Sequence, residues 1–180
     1  MPRTQTLRKL AFNATHGWIT KGCTRSTHSG GCEVVRLLFV PGEPRRYTLQ
    51  ERKLTNESTI ALDLEGTLIS NAVSQFPRPG LRTFLDFCGE HFDRVCIYTA
   101  VRDEVTVPIV QIMVSEENAP EWLLTTELIQ WDRTVKDLAN IPNAQITDCL
   151  ILDDNPDYIV ESQADQWIQI EKYSSPLSGR

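Results

Sequence analysis

The chain lacks any apolar run that approaches the ~20 residues needed to span a bilayer. Its first thirty residues also lack the continuous apolar core that precedes the cleavage site of a secretory signal. Acidic residues are absent from the N-terminus until Glu33. These absences predict a cytoplasmic protein with no membrane partner. An organelle presequence within residues 1–34 stays open, because such segments are also rich in Arg and poor in acids.

A disulfide framework is also missing, since the five cysteines follow no repeating pattern. Cys88, Cys96 and Cys149 lie in apolar, periodic segments, where cysteine usually behaves as a small buried hydrophobe. Cys23 and Cys32 lie in a polar stretch at a spacing that matches no zinc pattern. Reduced cytoplasmic thiols are therefore expected.

Charge is divided unevenly along the 180 residues. Residues 1–56 hold 10 Lys and Arg against 3 Asp and Glu, whereas residues 57–180 hold 8 against 21. An acidic body repels phosphate backbones, so nucleic acid is not expected as a partner. The basic segment could contact nucleic acid, an anionic membrane or the acidic body, and the last is favoured.

The same division predicts the domain organisation. Residues 1–56 are expected to form a basic N-terminal extension, partly flexible, with a β-hairpin over 34–49 whose first strand ends at a Pro-Gly pair. Residues 57–180 are expected to form one α/β domain, because one ordinary domain is all that this length accommodates.

Strand and helix patterns alternate from Thr59 onwards. The expected strands are Thr59 to Leu64, Arg94 to Thr99, Leu150 to Asp153 and Trp167 to Ile170. Leu81, Phe84, Leu85 and Cys88 recur at helical spacing, and further helices are expected from Val105 to Val114 and around Lys136. Pro108 is tolerable only near the first turn of its helix. Continuous apolar strands that alternate with helices predict a three-layer, Rossmann-like parallel sheet covered on both faces.

Polar residues stand where three of these strands end. Asp63 and Glu65 follow the first strand, Thr99 ends the second, and Asp153 and Asp154 end the third. In parallel sheets, ligands bind at the carboxyl ends of the strands. Lys136 is the cation expected to join these groups. Carboxylates, a hydroxyl and an ammonium are the donor set of a magnesium and phosphate site.

The same residues form a sequence of motifs that resembles the haloacid dehalogenase (HAD) superfamily of phosphohydrolases. The motifs are Asp63-Leu64-Glu65-Gly66-Thr67, Tyr98-Thr99-Ala100, Lys136 and Asp153-Asp154, in the order and spacing of that superfamily. The chain is most similar to the NLI-interacting-factor-like branch, the small phosphatases that act on the carboxy-terminal domain of RNA polymerase. The strings that carry this likeness are Arg78 to Leu85, Phe92 to Ala100, Val135 to Leu138 and Leu150 to Pro156.

The resemblance implies a role for each motif residue. Asp63 is implied to be the nucleophile, which forms an aspartyl-phosphate, and Glu65 the general acid and base. Thr99, Ala100 and Lys136 are implied to bind the phosphoryl oxygens.

The resemblance also implies a Mg²⁺ cofactor. Its ligands would be Asp63, Asp153, Asp154 and Glu65, the last through its backbone carbonyl. Two positions depart from the branch. The branch has aspartate in place of Glu65, whose acid is one methylene longer, and asparagine in place of Asp154.

Short segments on both sides of the second strand predict an essentially capless HAD-like domain with an open site. An open site favours a phosphoserine or phosphothreonine protein as the substrate, because small metabolites are more often enclosed. Two alternatives stay open. One is a binding module in which Glu65 has weakened catalysis, and the other is a phosphatase for small phosphate esters or nucleic-acid ends. The oligomeric state is not predicted.

Overall fold

A computed structural model describes residues 32–39, 47–54 and 58–174 of the chain. The predictions made for residues 1–31, including the presequence and Cys23, lie outside the described residues. Strands β1 (Cys32–Phe39) and β2 (Tyr47–Leu54) pair in antiparallel register, with Phe39 opposite Tyr47. This pair lies where the sequence predicts a hairpin, and β2 extends five residues beyond the expected end at Leu49. The division into an extension and a domain stays a prediction.

A five-stranded parallel sheet organises residues 58–174. Its strands are β3 (Thr59–Leu62), β4 (Arg94–Ile97), β5 (Glu127–Leu128), β6 (Cys149–Asp153) and β7 (Trp167–Gln169). They are arranged in the order β5-β4-β3-β6-β7, and every pair is parallel. The predicted fold class, a Rossmann-like α/β sheet, is confirmed. β3 is the central strand, between β4 and β6, and its four residues are all buried.

The two α-helices in the described part of the chain cover the same face of the sheet. They are α1 (Leu81–His91) and α2 (Asp103–Ser115). The residues that the helical spacing places on the apolar side of α1 are its buried ones, and they pack with Ile60 and Leu62 of β3. Three residues of α2 join the same core, namely Ile109, Val110 and Met113. The helical periodicity therefore identified this interface correctly.

The opposite face is covered differently from the prediction. Ala61, Cys96 and Ile151 point to this side, where they pack with Leu138 and Ile141. The covering segments are short 3₁₀ helices at Leu138–Asn140 and Ile146–Asp148 rather than α-helices. The prediction of a helix around Lys136 is wrong. Its backbone N–H instead donates to the carbonyl of Tyr158 at 2.7 Å, so the residue is held in a bridge to a distant segment.

One further expectation, the position of Pro108 in its helix, needs correction. Pro108 is the sixth residue of α2, since the helix begins two residues before the predicted start. The three cysteines predicted to be buried are so, and burial raises the pKa of the Cys149 thiol to about 11. Within the described residues, no helix has the length and apolar character needed to cross a membrane.

The same substitution at two valines of α2 tests how this helix packs on the sheet. Val110 is 5% exposed and Val107 is 45% exposed. Val110→Ala should lower the free energy of unfolding by about 2 kcal/mol, through lost burial and a residual cavity. Val107→Ala should change it by less than about 0.5 kcal/mol. Urea denaturation measures both values. Equal losses would contradict the assignment of the buried face.

Candidate active site

Two aspartates meet at the carboxyl edge of the central strands. Asp63 directly follows β3 and Asp153 is the last residue of β6. The register pairs Leu62 with Leu152, and the N–H of Asp63 donates to the carbonyl of Leu152 at 3.0 Å. Parallel pairing therefore places the two carboxylates side by side, as the sequence predicts.

Lys136 bridges these two aspartates. Its Nζ lies 2.7 Å from Oδ1 of Asp63 and 2.5 Å from Oδ2 of Asp153, and its side chain is fully buried. A buried ammonium is stable only where carboxylates or carbonyls satisfy it. The rings of Trp131 and Tyr158 lie 5.8 and 5.4 Å from Nζ, within the range of a cation–π contact. Lys136 and the two carboxylates thus form one buried cluster.

Asp154 completes an acidic group with the two bridged aspartates. One oxygen from each of Asp63, Asp153 and Asp154 lies within 4.8 Å of the others. Burial raises the pKa of Asp63 to about 6 against the lowering effect of Lys136, and Asp153 raises it further. Burial and Asp153 also raise the pKa of Asp154. Lys136 bonds two of the three carboxylates, and the exposed Lys172 offsets part of the charge of Asp154, so the group retains excess negative charge that favours a cation.

The loop after β3 lies directly against Asp154. Gly66 has a φ of 81°, in the left-handed region, and a Cβ there would lie 2.7 Å from both carboxylate oxygens of Asp154. The hydroxyl of Thr67 donates to Oδ1 of Asp154 at 3.2 Å. Glycine is therefore required at position 66 by backbone conformation and by space.

Thr99 and Ala100 follow β4 at the same edge of the sheet. The Oγ1 of Thr99 accepts the backbone N–H of Val101 at 3.2 Å, and its carbonyl accepts the indole N–H of Trp131 at 2.9 Å. The side chain of Thr99 is buried, and Ala100 is half-buried. Hydrogen bonds to backbone groups thus fix this turn. It lies at the edge of the sheet where the sequence predicts phosphate-binding groups.

Glu65 differs from the other predicted site residues because it is exposed. Its Oε1 accepts the backbone N–H of Ala72 at 3.1 Å. Its carboxylate does not belong to the group formed by the three aspartates. The structure therefore brings together Asp63, Lys136, Asp153 and Asp154, and it places the Glu65 carboxylate on the neighbouring loop.

Four residues to which the family resemblance assigns a role, namely Asp63, Lys136, Asp153 and Asp154, lie together in this arrangement. The family model for NLI interacting factor-like phosphatases matches residues 52–179. The chain belongs to this family. It is a HAD-type phosphatase, a phosphoric monoester hydrolase, as the motifs predict. No protein in the curated set matches the chain.

Two tryptophans of this HAD-type phosphatase hold the backbone of the site, and sequence reasoning missed their role. Trp131 donates to Thr99, and the indole N–H of Trp167 donates to the carbonyl of Asp153 at 3.0 Å. Buried Arg78 likewise binds the carbonyl of Thr67. The tryptophans lay in segments with no motif signal, whereas Arg78 belongs to one of the strings shared with the branch.

Replacement by phenylalanine tests the indole hydrogen bonds. Trp131→Phe and Trp167→Phe each remove the N–H donor and keep most of the ring. Each should lower the free energy of unfolding by about 1 to 3 kcal/mol because a carbonyl at the edge of the site loses its donor. Each should also lower kcat/KM for an aryl phosphate, since Thr99 and Asp153 are then less firmly held.

Trp122 is the matched control. Its indole makes no hydrogen bond to the described residues and rests instead on Gly89 of α1. Trp122→Phe should leave kcat/KM unchanged. Urea denaturation and initial rates measure the two effects. An equal loss of activity in all three variants would contradict a specific role for the two donors.

Proposed function

We propose that this phosphatase is a Mg²⁺-dependent phosphomonoesterase that acts through an aspartyl-phosphate on Asp63. One observation carries the proposal. Lys136 bonds both Asp63 and Asp153 in a buried cluster, with Asp154 alongside, in a chain that belongs to a phosphatase family. A buried carboxylate fixed at a strand end by its own backbone is well placed for attack in one defined direction.

The residues present fit a magnesium ion. Three carboxylates within 4.8 Å of one another offer hard oxygen ligands, and their uncompensated charge favours a small divalent cation. Asp63, Asp153 and Asp154 would hold it, together with the backbone carbonyl of Glu65. When bound, the ion would offset negative charge on the phosphoryl oxygens and so let an anionic carboxylate approach.

Three groups would orient the phosphoryl group. The Thr99 hydroxyl and the backbone at Ala100 would bind two of its oxygens. The ammonium of Lys136 would bind a third, because Nζ lies 2.7 Å from Oδ1 of Asp63, the proposed nucleophile. Fixed donors of this kind stabilise developing charge without reorganisation.

The reaction would proceed in two displacements. A carboxylate oxygen of Asp63 forms a bond to phosphorus as the ester P–O bond breaks, and Glu65 gives its proton to the departing alkoxide. Water then attacks phosphorus, Glu65 takes up the proton, and the bond between phosphorus and Asp63 breaks. The sum is an alcohol and inorganic phosphate.

Glu65 would reach the leaving oxygen by a side-chain rotation. Among the described residues, its carboxylate accepts one hydrogen bond, from the exposed backbone N–H of Ala72. Such a bond contributes only about 1 kcal/mol, so its loss costs little. The additional methylene of Glu65 also extends the reach of the carboxylate.

The proposed substrate class is argued from the lack of a cap among the described segments around the site. Between Gly66 and Gly80 the chain forms turns, and between Thr99 and Lys136 it forms α2, a 3₁₀ helix at Glu121–Thr125 and β5. These segments form no separate cap over the site. We therefore propose phosphoserine and phosphothreonine proteins as substrates, since a site without a cap can admit a protein segment, whereas small ligands are more often enclosed.

Asp63→Asn tests the nucleophile. The amide matches the carboxylate in size and cannot form the acyl phosphate, so kcat for an aryl phosphate with Mg²⁺ should fall about a thousandfold or more. The control is Asp86→Asn on α1, a half-buried residue bonded to Arg82. It should retain full activity. Activity retained by Asp63→Asn, or wild-type inactivity with every divalent metal, would refute the proposal.

Glu65→Gln tests the acid and base. With a phosphoserine peptide the rate should fall about 10²–10⁴-fold, because the alkoxide leaves without a proton. With p-nitrophenyl phosphate the formation of the phosphoenzyme should change much less, because p-nitrophenolate needs no proton. Burst kinetics measure that step. Glu90→Gln, on the exposed end of α1, should change neither rate. Equal slowing of phosphoenzyme formation with both substrates would argue against Glu65 as the acid.

A further inference from the structure

A buried guanidinium lies beneath the loop that follows β3. Arg78 is 5% exposed. Its Nε donates to the carbonyl of Thr67 at 2.6 Å, and its Nη2 donates to the carbonyl of Gly66 at 2.8 Å. Nη2 also lies 2.8 Å from the carbonyl of Glu171. A planar fork that binds several carbonyls at once fixes their relative positions, which a lysine cannot do.

The segment after β7 contacts the same loop. The backbone N–H of Tyr173 donates to the carbonyl of Gly66 at 2.7 Å. The ring of Tyr173 lies 5.1 Å from the Cζ of Arg78, in cation–π range. The Gly66 carbonyl therefore accepts two donors, one from each partner. We call Arg78, Glu171 and Tyr173 the C-terminal clamp.

The loop held by the clamp supports one carboxylate of the site. Gly66 leaves no space for even a Cβ between its backbone and Asp154, and Thr67 donates to Oδ1 of Asp154. Displacement of either residue would therefore move Asp154 or remove its hydrogen bond. Neither Arg78 nor Tyr173 is among the residues that form the cluster of carboxylates.

We propose that the C-terminal clamp positions Asp154 for the metal by fixing the carbonyls of Gly66 and Thr67. Arg78 is a positioning residue in this proposal, since it acts through the loop and touches no reacting atom. The inference rests on the Mg²⁺-dependent reaction proposed above. Its structural part, the coupling of residues 171–173 to the loop, stands independently of that reaction.

Arg78→Lys tests the clamp, because it keeps the charge and loses the planar fork. Arg82→Lys is the control, as Arg82 lies on the exposed side of α1 and pairs with Asp86. Arg78→Lys should weaken Mg²⁺ binding about tenfold in titration calorimetry, the usual scale for groups that support metal ligands. It should raise the Mg²⁺ concentration for half-maximal activity equally, with KM for the aryl phosphate nearly unchanged at saturating Mg²⁺. Arg82→Lys should shift neither.

Backbone hydrogen exchange gives a reading that does not depend on metal or turnover. In Arg78→Lys, exchange should accelerate in peptides that cover residues 66–70 and also in those that cover 171–174. The rest of the domain should exchange as in the wild type. A variant that loses stability throughout, with Mg²⁺ affinity unchanged, would overturn the positioning role.

Tyr173 supplies a second pair of variants if Arg78→Lys folds poorly. Tyr173→Ala removes the ring and keeps the N–H donor to Gly66, whereas Tyr173→Pro removes both. In Tyr173→Pro, exchange at residues 66–70 should be faster than in Tyr173→Ala, and the affinity for Mg²⁺ should be lower. Equal behaviour of the two would overturn the role of the backbone donor.

The outcomes separate the two proposals. A wild type that neither binds Mg²⁺ nor hydrolyses phosphate esters would refute the proposed function and, with it, the metal-positioning role of the clamp. Coupled exchange in the Arg78 and Tyr173 variants would still support the structural part. Unchanged exchange in both segments of every variant would overturn the clamp, whatever the activity.

Discussion

Negative charge at the end of the central strands is the constraint on which the rest of the site depends. Asp63, Asp153 and Asp154 approach within 4.8 Å, in a place that is largely shielded from water. Carboxylates so close repel one another, and burial raises the cost of each charge. Lys136 compensates one charge by binding two of the acids, and its own burial is possible only because they are there. The buried ammonium and the buried carboxylates thus stabilise one another.

Backbone carbonyls around this cluster are held by buried or half-buried donors from distant parts of the chain. Indole N–H groups hold the carbonyls of Thr99 and Asp153, and Arg78 holds those of Gly66 and Thr67. Fixing the carbonyl fixes the peptide plane, and with it the direction of the neighbouring side chain. The site is therefore supported from its main chain, which suits chemistry that depends on placement to a fraction of an ångström.

Glu65 differs from these residues because its carboxylate is exposed, and its proposed role explains the difference. As the proposed nucleophile, Asp63 would benefit from burial and a fixed backbone, because a nucleophile attacks one atom along one line. An acid that first gives and then takes a proton must serve a leaving alcohol and later a water. In the proposed reaction, the exposed carboxylate of Glu65, which accepts the N–H of Ala72, would move between those tasks. The proposed reaction thus uses one buried acid and one exposed acid.

The sequence by itself determined the fold class and the residues at the sheet edge, because both follow from local patterns. Apolar strands followed by acids predicted Asp63, Asp153 and Asp154, and helical spacing predicted the buried side of α1. Only the tertiary structure decided what holds them. Lys136 lies in a bridge and not in a helix, and Arg78 meets Glu171 across 93 positions of sequence. Hydrogen bonds between residues so far apart in the sequence produce no periodic pattern, and neither partner is unusual when it is considered alone.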